Sequence, residues 1–212
     1  MKVLVIGAYG QIGQHILSVL DKSEHQAKAM IRNENQANEL EHLGAEVVVA
    51  DLEQDFSYAF DGCDAVIFTA GSGGHTGPEK TELVDRQGAM KAVNEAENNH
   101  VKRFIMVSSM NADTPDNGPE SMKYYFKAKG DADKNLQSGH LNYTILRPGR
   151  LLNEPANGTI TAAEHIEDRS NGIPRADVAQ VAVTSLDTEN TSHRVFEILS
   201  GDVPIEEALR NI

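Results

Sequence analysis

The chain has 212 residues, enough to bury one well-filled core, and Lys+Arg 19 against Asp+Glu 32 leaves a formal charge of −13. An acid surplus of that size repels phosphodiester backbones and anionic lipid surfaces, so neither nucleic acid nor membrane is expected as a direct partner. The N-terminus lacks a basic region followed by a signal-length apolar stretch, no apolar run approaches the ~20 residues that span a bilayer, and the lone cysteine, Cys63, cannot form an internal disulfide, which together predict a cytoplasmic protein.

The chain opens on an apolar run, residues 3–6, that reads as a buried parallel strand. GAYGQIG follows at 7–13 with GxxGxxG spacing and leads directly into the helix-favouring HILSVL. Gly7 allows a tight exit turn, Gly10 removes the Cβ that would hold backbone N–H groups away from an anion, and Gly13 lets the helix lie close to the strand. Free N–H groups and the positive end of the helix dipole then converge on one spot. The motif in this strand–turn–helix context predicts a nucleotide pyrophosphate held by Gly7, Ala8, Tyr9, Gly10, Gln11, Ile12 and Gly13.

Next come AKAMIRN, a helix-like ENQANELEHL ending at Gly44, AEVVVADL, a short polar helix and DAVIFTAG. A long helix over about 80–98, KRFIMVSS, a helix over about 121–137 and LNYTILRPG complete the pattern. Short β-rich apolar runs alternating with helices predict the α/β class: a Rossmann-type doubly wound parallel sheet flanked by helices. With no linker, repeat or low-complexity stretch, residues 1–212 read as a single domain, and 151–212 include a small elaboration on the substrate side. Gly44 and Gly139 fall at helix C-termini, and Asp21, Asn33 and Ser57 read as cap or turn residues. Cys63 reads as a small packed residue rather than a nucleophile.

In such sheets ligands lie beyond the carboxyl ends of the strands, which singles out Arg32 and Asn33, Asp51 and Leu52, Ala70 and Gly71, Ser108 and Ser109, and Pro148 and Gly149. An acidic residue ending the second strand would favour NAD(H); Arg32 stands there instead and can pair with a 2′-phosphate, so NADP(H) is the expected cofactor and NAD(H) the alternative. Asp51 either accepts from the adenine amino group, with Leu52 lining the ring, or caps a helix. In GSGGHTG, residues 71–77, Ala70 and Gly71 allow close approach of the cofactor, and the remainder is either a lid or a surface loop. His75 has no second histidine or cysteine at ligand spacing, so no metal site is expected.

Tyr125 and Lys129 stand four apart on a predicted helix and project from one face. A nearby ammonium favours the phenolate, so the pair reads as a proton-transfer group, with Lys129 also available to a nicotinamide ribose. GAYGQIG, KRFIMVSS, Tyr125 with Lys129, and YTILRPG, joined by RADVAQVAVTSL and FEILSGDVPIEEAL, resemble the short-chain dehydrogenase/reductase superfamily in its atypical NAD(P)-binding, epimerase/dehydratase-like branch. The resemblance covers nearly the whole chain. It implies a Rossmann fold, a bound NAD(P) and, in active members, a Ser-Tyr-Lys constellation: Tyr125 as acid/base, Lys129 as ribose anchor, Pro148 and Gly149 beside the nicotinamide.

Two features depart from the sugar-epimerase members. The residue after the serine pair, where they carry the catalytic hydroxyl, is Met110, so either Ser109 substitutes or no side chain does. The tail after Gly149 is short for a nucleotide-sugar domain, although residues 153–165 read as part of a modest substrate wall. Arg147 reads as a structural ion pair rather than an anion site, and Arg175 and Asp177 as caps or braces of the following helix. The leading expectation is a cytosolic NADP(H)-dependent oxidoreductase acting on a small carbonyl, quinone or flavin-like acceptor. A non-catalytic dinucleotide-binding redox sensor or scaffold is the alternative, and a nucleotide-sugar epimerase or dehydratase the third reading. By analogy with relatives, the helix over 80–98 is a candidate homodimer face.

Overall fold

The alternation of apolar runs and helices resolves into a doubly wound sheet in a computed structural model that describes residues 1–74 and 76–212. Strands β1 (Lys2–Ile6), β2 (Gln26–Ile31), β3 (Glu46–Val49), β4 (Ala65–Phe68), β5 (Arg103–Val107) and β6 (Tyr143–Pro148) are parallel, in spatial order β3-β2-β1-β4-β5-β6. Residues beyond 149 contribute β7 (Arg150–Leu152), β8 (Thr159–Ala163), β9 (Gly172–Pro174), β10 (Arg194–Ser200) and β11 (Val203–Pro204). Three of these extend the main sheet to nine strands, β10 parallel to β6 and then β8 and β11 antiparallel, while β7 and β9 form a separate parallel pair. The C-terminal part is therefore more than an addition on the substrate side. RVFEILS buries its middle residues as another core strand.

The helices are α1 (Gln11–Leu20), α2 (Ala37–Glu41), α3 (Pro78–Lys80), α4 (Ala89–Asn98), α5 (Lys123–Ser138), α6 (Arg175–Thr184) and α7 (Ile205–Arg210). Both sheet faces are covered, which is why β1 reads as one unbroken apolar run. Val3 and Val5 belong to the core on the side of α1 and α6, with Ile16, Leu17, Leu20 and Val178. Leu4 and Ile6 point the other way, toward Phe68, Phe104, Ala92 and Val93 of α4, and Leu136 of α5. Cys63 packs in this second core, as its sequence context suggests, and burial pushes its thiol up.

Local chemistry adjusts several boundaries. The helix expected over 80–98 starts at Pro78, and between α3 and α4 residues Thr81–Gly88 form a π-helical segment. The short polar helices are partly 3-10 turns, Glu34–Gln36 and Ser57–Phe60. Asn33 caps the first, its Oδ1 accepting from Asn35 N at 3.0 Å, but at the second Asp55 rather than Ser57 supplies the acceptor, taking Ser57 N at 3.0 Å. The helix expected from 121 begins with a 3-10 turn at Glu120–Met122 before α5. Among the described residues no helix is long and apolar enough to cross a membrane, and no group of His, Cys, Asp and Glu is placed to hold a metal.

An ion pair ties α5 to β6 inside the core. Arg147 Nε and Nη2 donate to Asp133 Oδ2 at 3.1 and 3.0 Å, while Nη1 reaches Asp113 Oδ2 at 2.7 Å. Asp133 is 1% exposed, and burial pushes its carboxyl up against the opposing pull of Arg147. Arg147 thus has the structural role expected of it. Arg147→Met should cost about 3–5 kcal/mol, because it leaves a buried carboxylate unpartnered, and adding Asp133→Leu should recover most of that loss. Urea denaturation of the single and double variants measures both; equal losses would show that the unpaired charge is not the cause.

Candidate functional site

The strand order reverses between β1 and β4, and the first turn sits at that point. Gly7 takes φ +89°, and a Cβ there would lie 2.6 Å from Ala70 N, so the turn and the end of β4 touch through backbone alone. A Cβ on Gly13 would fall 2.3 Å from Gly7 O and 2.6 Å from Ala8 O, which explains how α1 starts so close above β1. The helix begins at Gln11 after Gly10, no side chain caps it, and its first turn carries no acidic residue. Its leading N–H groups are thus left to whatever anion arrives, a donor set that fits a phosphate or pyrophosphate.

Two cavities open along the carboxyl ends of the strands and share Gly10, Thr69, Gly71, Ser72 and Thr76. The first, about 370 Å³, brings together Gly7, Tyr9, Gly10, Arg32, Asp51, Leu52, Ala70 and Gly71. The second, about 850 Å³, gathers Gly10, Gln11, Ile12, Ser109, Tyr125, Pro148 and Gly149. Five predicted residues line neither cavity. Ala8 is buried in the core beneath the turn, Gly13 is buried at the helix–strand contact, Asn33 is committed to its cap, and Ser108 and Lys129 lie behind the cavity wall. Asp51 combines its two readings: it lines the first cavity while its Oδ1 accepts from Glu53 N at 3.0 Å. The expectation for His75 lies outside the described residues.

Tyr125 is half-buried in the wall of the second cavity. Lys129 is 2% exposed, and its Nζ donates to Val107 O at 2.9 Å. Burial pushes the Tyr125 phenol up; Lys129 pulls it down, Asp85 adds to the rise, and Ser109 opposes it. The expected net lowering by Lys129 is therefore reversed, because the ammonium's pull is smaller than the cost of burying a phenolate. Ser109 Oγ donates to Met110 O at 3.0 Å, while the buried Ser108 Oγ has no partner among the described residues. Met110 is itself buried, packed with Ile166 and Leu199.

Sequence reasoning missed three residues that line the second cavity: Asp85, Arg150 and Arg175. Asp85 lies in the π-helical segment and is fully buried; its Oδ2 accepts from Ser72 N at 3.0 Å and its Oδ1 has no partner among the described residues. A signal was present: Thr81, Asp85, Gly88 and Ala92 follow the spacing of a buried helix stripe, and a carboxylate there is out of place in a plain core. Arg175 does not brace its own helix; Nη1 donates to Asn153 Oδ1 at 2.7 Å. Asp177 braces the loop before β8, accepting from Asn157 N and Gly158 N at 2.9 Å each.

Comparison with known proteins agrees with this geometry. A family model described as NAD(P)H-binding matches residues 7–189. The Bacillus subtilis protein named uncharacterized sugar epimerase YhfK is 49% identical, with the whole of both chains covered. A solved structure from Bacillus halodurans, provisionally named an NAD-dependent epimerase/dehydratase, superposes at a TM-score of 0.98 with 46% identity and full coverage of both chains. The structure of the oxidoreductase ylbE from Lactococcus lactis gives a TM-score of 0.88 and 30% identity over 100% of this chain and 96% of that one.

The environment of Tyr125 fixes the sign of its titration. In an alkaline titration followed by phenolate absorbance, the component missing from Tyr125→Phe should appear above the ordinary tyrosine value of 10.0. A Tyr125 component ionising below that value would mean that Lys129, not burial, controls the phenol.

Proposed function

Because the chain belongs to the NAD(P)H-binding family, a group with nicotinamide dinucleotide cofactors, we propose that it is an NADP(H)-dependent reductase of a small carbonyl, quinone or flavin-like acceptor. One observation carries the reading: Tyr125 lines the same cavity as Gly10, Gln11 and Ile12, so a proton donor faces the space next to the anion-binding turn. The N–H groups at the start of α1 hold the pyrophosphate, Arg32 takes the 2′-phosphate, and Asp51 and Leu52 flank the adenine. Ala70 and Gly71 admit the middle of the dinucleotide, and Pro148 and Gly149 border the nicotinamide end. The bound dihydronicotinamide supplies a hydride.

The chain supplies the proton. Tyr125 would give its phenolic proton to the acceptor oxygen as negative charge develops there, and water in the open cavity would reprotonate the phenolate. A phenol held up by burial is protonated at neutral pH, the form that a donor requires. Lys129, bonded to Val107 O behind the wall, acts on Tyr125 through its charge and helps stabilise the phenolate left after transfer. Ser109, which neighbours the Tyr125 phenol in the wall of the same cavity, orients the acceptor oxygen beside it.

Met110 supports a second reading, a dinucleotide-binding redox sensor without turnover, since a buried methionine fills the position where sugar-epimerase members carry a hydroxyl. Activity toward a panel of carbonyls and quinones separates the two. For the reductase, Tyr125→Phe should keep NADPH affinity and lose roughly 10²–10⁴-fold in turnover. Unchanged turnover would remove Tyr125 from the reaction, and tight NADPH binding with no oxidation by any acceptor would favour the sensor.

Cofactor choice is tested by binding. NADPH should bind roughly tenfold or more tightly than NADH, and Arg32→Ala should erase the difference. Equal affinities in the unmodified protein would refute the role given to Arg32.

A further inference from the structure

In a chain with 32 acidic residues, where a guanidinium stays without a carboxylate partner is informative. Arg86, Arg147, Arg169, Arg194 and Arg210 are ion-paired. Arg103 is buried and donates to Asn142 Oδ1, the Thr144 and Thr191 hydroxyls and the Ser185 carbonyl. Among the described residues the arginines left over are Arg32, Arg150 and Arg175, and every one of them lines a cavity. Arg32 faces the first; Arg150 and Arg175 face the second, together with Tyr125.

The two arginines are placed by one structural unit. Arg150 begins β7 and Arg175 directly follows β9; the strands pair in parallel, Arg150 opposite Gly172 and Leu152 opposite Pro174. Arg175 stands one step past the last pair, at the level of Asn153, so about 10 Å of strand separates the two backbone positions from which the long side chains start. Asn153 is a neutral acceptor and leaves the charge of Arg175 unmatched. Arg169 also lines this cavity, but Glu197 Oε1 at 2.5 Å neutralises it. The lining contains one carboxylate, Asp85, with an oxygen tied to Ser72 N. Met122, Phe126 and Leu151 give the same cavity apolar surface.

We infer that Arg150 and Arg175 form an anion subsite for the acceptor, so that the substrate is an amphipathic acid: an apolar or aromatic body carrying a carboxylate or sulfonate. The inference rests on reading this cavity as the acceptor site of the reductase. Two guanidiniums on a chain of net charge −13 concentrate anions at one mouth that the rest of the surface repels. Uncharged carbonyls of the same shape forgo that attraction. The phosphates of the dinucleotide are the other anion within reach, since Gly10, Gln11 and Ile12 line the same cavity.

The test uses probes that cannot be reduced. With the protein saturated with NADP⁺, calorimetric titration should show 2-naphthoate binding about tenfold more tightly than 2-naphthamide, its uncharged isostere. The double variant Arg150→Gln, Arg175→Gln should bring naphthoate down to the amide's affinity while leaving NADP⁺ affinity within about twofold, and added salt should shrink the naphthoate preference. Equal affinities for the two probes, or no naphthoate binding at millimolar concentration, overturns the subsite. So does a double variant that loses NADP⁺ affinity yet keeps the naphthoate preference, which would assign both arginines to the dinucleotide. Far-UV circular dichroism of the variant confirms its fold. Because the readout is binding, failure to reduce any acceptor would defeat the reductase reading and leave this result standing, while equal probe binding with active turnover would defeat only the anion subsite.

Discussion

Everything at the site depends on a backbone-to-backbone contact at the first turn. Gly13 has its α-carbon against the carbonyls of Gly7 and Ala8, and Gly7 has its own against Ala70, with no room for a side chain at either place. These contacts set α1 low over the end of β1 and draw the end of β4 against the turn. The strand order then carries the chain to opposite faces: α1 packs with α6 on one side, and the long helix after β4 covers the other. Where neighbouring connections diverge, a crevice must open at the carboxyl edge of the sheet. At its edge the uncapped start of α1 leaves backbone N–H groups without side-chain partners.

Charge is distributed to match that crevice. The protein is strongly acidic, and about half of its lysines and arginines pair with carboxylates, including the buried Arg147 that holds α5 to β6. The arginines without such partners, apart from the buried Arg103, are found in the cavity walls. Together with the uncapped start of α1, they put hydrogen-bond donors and positive charge in a cleft of an otherwise acidic chain. The cost of leaving a guanidinium unpaired is small where water reaches it, as at the exposed Arg32 and Arg150, which is why these positions tolerate it.

Most of the fold and half of the site were legible in the sequence, and the division has a physical basis. Parallel strands buried on both faces announce themselves as continuous apolar runs, and GAYGQIG encodes its turn through glycines that only close backbone contact requires. Residues such as Arg32, Asp51, Tyr125 and Pro148 follow from their place at strand ends or on a helix face. Arg150 and Arg175 did not follow, because their cavity position depends on the pairing of β7 with β9, two three-residue strands without a periodic signal. The addition of β10 to β6 depends likewise on long-range pairing. Lys129 illustrates the opposite limit: helical spacing places it near Tyr125 correctly, but only packing decides that its ammonium lies behind the wall, bonded to Val107 O.

The segment between α3 and α4 brings a carboxylate to the phenol, Asp85 and Tyr125 lining the same cavity. Thr81–Gly88 is π-helical, a form frequent at functional sites, and its inward residues keep the i, i+3, i+4, i+7 spacing of a buried helix face. Here Thr81, Val84, Asp85 and Gly88 are all turned inward, and Arg86 bridges Glu82 to Asp131 on α5, fixing the segment against the helix that bears Tyr125. Asp85 and Lys129 then act on Tyr125 with opposite signs. Their effects offset, burial decides the outcome, and the resting phenol keeps its proton. A phenol so held is a weaker acid than a free tyrosine, so the packing of these two helices sets how much Lys129 must contribute before a phenolate can form.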